Sequence, residues 1–70
     1  MPQVSSASQA MKIGKEACSE AGYEKIKITS TEYDDDEDVW NIDAEADDGE
    51  TLISITIDAD TGEVSDFYTE

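Results

Sequence analysis

Seventy residues make one domain with a thin core, because a chain this short buries only about 60 % of its unfolded surface and has little room for an enclosed active site. Nineteen Asp and Glu stand against four Lys, with no Arg and no His, and the formal net charge is −15. That balance argues against nucleic acid and anionic membrane as direct ligands, since phosphate is bound by the Lys and Arg that displace its counterions, and it makes a basic partner or a cation-rich solvent the natural complement.

In chain order, Ala7, Ala10, Met11, Gly14, Ala17, Cys18 and Ala21 recur at spacings of three and one, with Ile13 on the flank. This pattern predicts an amphipathic helix over 5–21. Ser5 or Ser6 is the expected N-cap, and Gly22 stands at the C′ position. From Tyr23 the period changes to two. Ile26 and Ile28 alternate with Lys25, Lys27 and Thr29, predicting a strand over about 24–32. The acidic run Asp34 to Asp38 follows as a solvated loop, and a second strand over about 39–46 turns Trp40, Ile42, Ala44 and Ala46 inward.

Asp48-Gly49 predicts a two-residue type I′ hairpin turn. Pairing Asp47 with Glu50 sets Ala44 opposite Ile53, Ile42 opposite Ile55 and Trp40 opposite Ile57, so inward residues meet inward residues. A loop centred near Asp35 would bring Ile28 opposite Ile42, Lys27 opposite Asp43 and Lys25 opposite Glu45. After Ile57, the segment Asp58-Ala59-Asp60-Thr61-Gly62-Glu63 has turn chemistry and leads to a last strand around 63–68, with Val64 opposite Ile57. A continuous register puts Phe67 on the outer face near Leu52. A bulge near Ser65 or Asp66 turns it inward, and the sequence leaves both open. The fold class is α+β: one N-terminal helix packed on a four-stranded antiparallel meander.

Chemistry is sparse. Without His, and with Cys18 on the apolar stripe, nucleophile and base pairs are missing, so no enzyme and no cofactor are expected. Asp58, Asp60 and Gly62 superficially suggest a calcium loop. However, positions 5 and 12 counted from Asp58 are Gly62 and Thr69, where a calcium loop needs an oxygen ligand and a bidentate acid, so no metal site is expected. The lone cysteine points to a reducing compartment. No apolar run approaches 18 residues, MPQVSSASQAMK lacks a charged and then apolar leader, and Met1-Pro2 reads as a native start. The expected location is the cytoplasm, without membrane insertion.

The acidic surface has two readings. One is adaptation to a saline cytoplasm, where hydrated carboxylates are screened by salt. The other is mimicry, in which the acid occupies a basic protein site made for nucleic acid. The candidate partner surface comprises Leu52 and Phe67, with Tyr33 and Tyr68 at its rim. The last strand is an edge open to weak homodimer pairing.

The helix closing with Ala21-Gly22-Tyr23, the tryptophan opening a strand at Trp40, and the run Ile57-Asp58-Ala59-Asp60-Thr61-Gly62-Glu63-Val64 together resemble a PepSY-type domain. The resemblance covers nearly the whole chain. It implies a non-enzymatic α+β module of an inhibitory or regulatory kind, as found in protease propeptides.

Overall fold

Helix α1 (Ala7–Glu20) starts where Ser6, in extended conformation, accepts the Gln9 N–H on its hydroxyl at 3.3 Å, while the Gln9 side chain accepts the Ser5 N–H at 2.8 Å. This reciprocal exchange satisfies donors that the first turn leaves unpaired. At the other end, Gly22 takes φ 95°, and the N–H groups of Gly22 and Tyr23 return to the carbonyls of Ser19 and Cys18. That left-handed C′ position is the one the sequence assigned to glycine. The computed structural model describes residues 4–70; the Met1-Pro2 start lies outside the described residues.

Four strands follow, β1 (Lys27–Asp34), β2 (Val39–Ala46), β3 (Thr51–Asp58) and β4 (Val64–Thr69). They form one sheet in the order β1-β2-β3-β4, antiparallel throughout. This is the expected helix and meander. The central hairpin has the expected register, with Trp40 opposite Ile57, Ile42 opposite Ile55 and Ala44 opposite Ile53. Its tip differs from the two-residue turn expected: the last strand pair is Ala46 with Thr51, and the four residues between them form a turn with positive φ at Asp47 (54°), Asp48 (61°) and Gly49 (91°), the Glu50 N–H pointing to the Asp47 carbonyl at 3.4 Å. The register is unchanged, because a four-residue connection between Ala46 and Thr51 keeps the same pairs in line as a two-residue one between Asp47 and Glu50.

The outer strands depart from a uniform alternation. In β1 the register shifts between Ile28 and Ser30, so Ile28 faces Ala44 rather than Ile42 and Lys27 faces Glu45 rather than Asp43. Thr29 is the extra residue, and Thr31 and Tyr33 consequently point to the helix side. Lys25 is not in the strand. It takes φ 54° and pairs with Asp48 at 3.1 Å, while the Asp47 N–H donates to the Glu24 carbonyl. The hairpin tip therefore holds residues 24 and 25, and the strand begins two residues later. It also runs further, to Asp34, because the Asp34 carboxylate accepts the N–H groups of Asp36 and Glu37 and starts the turn from the strand end.

In β4, Val64 meets Ile57 as expected, but the register then shifts so that Asp66 faces Thr56 and Phe67 faces Ile55. Ser65 is the bulged residue. Of the two placements the sequence leaves open, the inward one is realised.

The core lies between α1 and the sheet. Ile42, Ile53, Ile55 and Ile57 are each at most 1 % exposed, and α1 reaches them along a narrow seam of Ala10, Gly14 and Cys18. Ala7, Met11 and Ala21, counted on the sequence stripe, are exposed. The covered stripe is narrower than the spacing suggested because small residues carry the contact. A Cβ on Gly14 would lie 3.1 Å from Ile42 Cδ1 and 3.4 Å from Ile42 Cγ2, so the helix sits as close as glycine allows. Gly14→Val is expected to lower stability by about 1–3 kcal/mol through overpacking, read as a fall in the urea midpoint at unchanged slope. An unchanged midpoint would show that the seam has room to spare.

Candidate functional site

The sheet has a helix on one side only. Alternation from the buried isoleucines places Asn41, Asp43 and Glu45 of β2, Leu52, Ser54 and Thr56 of β3, and Asp66 and Tyr68 of β4 on the open side. Leu52 is 47 % exposed and Tyr68 is 54 % exposed. Tyr68 stands opposite Ser54, one pair along from Leu52, so the two are diagonal neighbours. The Glu70 N–H donates to the Leu52 carbonyl at 2.8 Å, extending the pairing past β4.

Phe67 does not join them. The β4 bulge sends it to the helix side, where it is half-buried against the core and its ring stacks on Tyr23 with centroids 6.3 Å apart. An open-face patch of Leu52 with Phe67 therefore does not form. Tyr33 is on the helix side as well, displaced by the β1 bulge, and packs against Trp40 with centroids 5.1 Å apart. Of the four residues named from the sequence, the structure brings together Leu52 and Tyr68. Bulge positions have no strong sequence signal, and the choice at Phe67 depended on one.

Around Leu52 the open face forms a groove of about 310 Å³ whose rim carries Thr29, Asp43, Glu45, Ser54 and Glu70. Thr29 follows the inward Ile28 and so faces this side, and its hydroxyl donates to the Asp43 carbonyl at 3.1 Å. Ser54 donates its hydroxyl to Asp43 Oδ1 at 3.3 Å. Lys25–Asp48 is the single ion pair among the described residues, so the carboxylates of Asp43, Glu45 and Glu70 have no cation within pairing distance. This mixed apolar and acidic groove was not read from the sequence. It needs the mutual register of the strands, and the pairing of Glu70 beyond β4, to assemble.

A second concavity of about 280 Å³ lies at the other end of the molecule, lined by Val4, Ser5, Tyr33 and Trp40. Trp40 is fixed there by its indole N–H, which donates to the Val4 carbonyl at 3.0 Å. The Val4 N–H donates to Ala59, and Ala59 in turn donates to the Asp38 carbonyl, both at 3.0 Å.

The acidic turns have assigned work. Asp58 Oδ1 accepts the N–H groups of Asp60 and Thr61, so this carboxylate organises the β3–β4 turn. Asp34, Asp35 and Asp36 bring carboxylate oxygens within 4.8 Å of one another, and one oxygen of Asp34 is committed to the turn. Cys18 is buried, and desolvation pushes its thiol above the ordinary range, which suppresses the thiolate that nucleophilic chemistry would need.

Tyr33 donates its hydroxyl to Asp38 Oδ1. This bond, with desolvation and the negative charges of Asp38, Asp35 and Asp34, raises the phenol above its ordinary value of 10.0. The folded-state value exceeds the unfolded one, so the stabilisation is complete below about pH 10 and is lost as pH rises through the folded value. Absorbance of phenolate should show one tyrosine titrating late. Tyr33→Phe removes that step, and Asp38→Gly, which tolerates the φ of 56° at this position, moves it down. A step unmoved by Asp38→Gly would refute the assignment.

No curated protein and no solved structure matches the chain. The family model described as peptidase propeptide and YPEB domain, PepSY, matches residues 5–68, from the capping serines to Tyr68. The helix, the four strands and the open face all fall within that match, and the chain belongs to the PepSY family.

Proposed function

We propose that this chain is a non-enzymatic PepSY module that binds and regulates a protein partner through the open face of its sheet, with β4 at the flank of the contact. The observation that supports it is the adjacent exposure of Leu52 and Tyr68 on the solvent side of an antiparallel sheet, where polar residues are the rule. The family's propeptide character favours an inhibitory mode of regulation. The acidic surface keeps the module hydrated at high salt.

A second reading, an acidic mimic occupying a basic site made for nucleic acid, draws support from where the charge lies. Up to Tyr23 the chain has two Lys and two Glu, whereas from Glu24 onward seventeen carboxylates stand against two Lys. The helix side is near neutral and the charge belongs to the sheet and its turns. This reading puts the determinant in the loop of Asp34–Asp38 instead of at Leu52.

A photo-crosslinking residue separates the two. Placed at position 52 in cells, it should give an adduct with a discrete protein that is missing when the same residue replaces Glu16 on α1. An adduct from position 36 but not 52 would favour the mimic, and adducts independent of position would overturn both. The salt half of the reading has its own check: the urea midpoint should rise from low to molar KCl as carboxylate repulsion is screened. Equal midpoints would count against salt adaptation.

A further inference from the structure

We infer that the occupant of the open face is an extended, basic segment of a partner protein that lays one Arg or Lys into the groove bounded by Asp43, Glu45 and Glu70, with its aliphatic stem on Leu52. This inference deepens the protein-binding reading and rests on it. Three carboxylates without a cation partner line one rim region, and an exposed leucine forms the apolar surface beside them. Long basic side chains match that combination, since their methylene stems cover apolar surface while the charged head reaches for acid. Arg suits it best, because a planar guanidinium can bond a carboxylate through two N–H groups.

The face also selects against other occupants. Its single strand lysine, Lys27, stands opposite Glu45 yet outside pairing distance, so the face remains strongly negative. A second copy would set acid against acid, at a net charge of −15 on each chain, which opposes self-association. The Ser54 hydroxyl donates to one oxygen of the Asp43 carboxylate, while Thr29 bonds the backbone carbonyl of the same residue, so Asp43 is held in the groove wall before a ligand arrives.

The test uses the full chain and a fluorescent eight-residue peptide of alternating Arg and Val, with a Glu and Val peptide as control, at physiological ionic strength. Anisotropy should report binding of the Arg peptide alone. Amide resonances of residues 43, 45, 52 and 54 should shift on its addition. Asp43→Asn and Glu45→Gln should each weaken binding roughly fivefold, the effect of losing one exposed ion pair, and Leu52→Ser should weaken it as well. Neutralising Asp34, Asp35 and Asp36 to Asn should leave affinity within about twofold.

Equal loss from the loop and groove variants, or resonance shifts spread over every acidic turn, would overturn the inference, as nonspecific charge attraction then explains binding. A dimer in sedimentation at molar KCl, broken by Leu52→Ser, would overturn it in favour of a second copy. No binding of the Arg peptide, alongside a protein adduct from position 52, would overturn the basic occupant while leaving the protein-binding function in place.

Discussion

Ile42 and Ile55 face each other across β2 and β3 directly beneath Gly14, and the remaining structure is arranged around this contact. It sets which side of the sheet is inside, and hence which residues of every other strand meet water. It also sets the height of the helix. With glycine at the crossing, α1 approaches the sheet closely enough that small residues such as Ala10 and Cys18 complete the seal. Each isoleucine buried there contributes roughly 1.5–3 kcal/mol, whereas a core with one helix on one sheet has few such residues. Little else could replace them.

The register of the hairpin containing this contact was legible, although its tip is a four-residue connection in place of a two-residue one. Two strict alternations separated by Asp-Gly constrain register doubly, through turn geometry and through the matching of apolar faces, and both constraints agree. The helix was legible for the same reason at a different period, although its buried seam proved narrower than its apolar stripe. The edges were harder. Each edge strand has one neighbour, so a one-residue insertion at Thr29 or Ser65 disrupts a single ladder. The first reversed the faces of Thr31 and Tyr33, and the second chose the inward course of Phe67. Half of the residues read as a partner surface therefore lie on the helix side, and the groove beside Leu52 went unseen because its walls come from separate strands and from Glu70 past the end of β4.

Charge and fold are distributed differently along the chain. The segment that closes the core, α1, is nearly neutral, and the sheet and turns carry the acid. Repulsion within the acidic part is spread along turns and an open face, where water and ions screen it. Much of the turn acid is structural as well as solvating: Asp34 and Asp58 hold turn backbones, and Asp38 and Asp48 take left-handed conformations that Asp tolerates. A surface built from so many carboxylates accordingly reflects backbone requirements in addition to solvent and partner.

The bond from Trp40 to Val4 has a consequence for how the chain reaches its native state. Every strand pairs with its sequence neighbour, so most of the sheet can assemble from short loops. Val4, 36 residues from Trp40 and joined also to Ala59, is different, for its capture closes a loop around most of the domain. Long closures cost more chain entropy and are compensated only when their docking surface exists. We expect the N-terminal segment to lock last, with the indole of Trp40 as the spectroscopic witness of that final step.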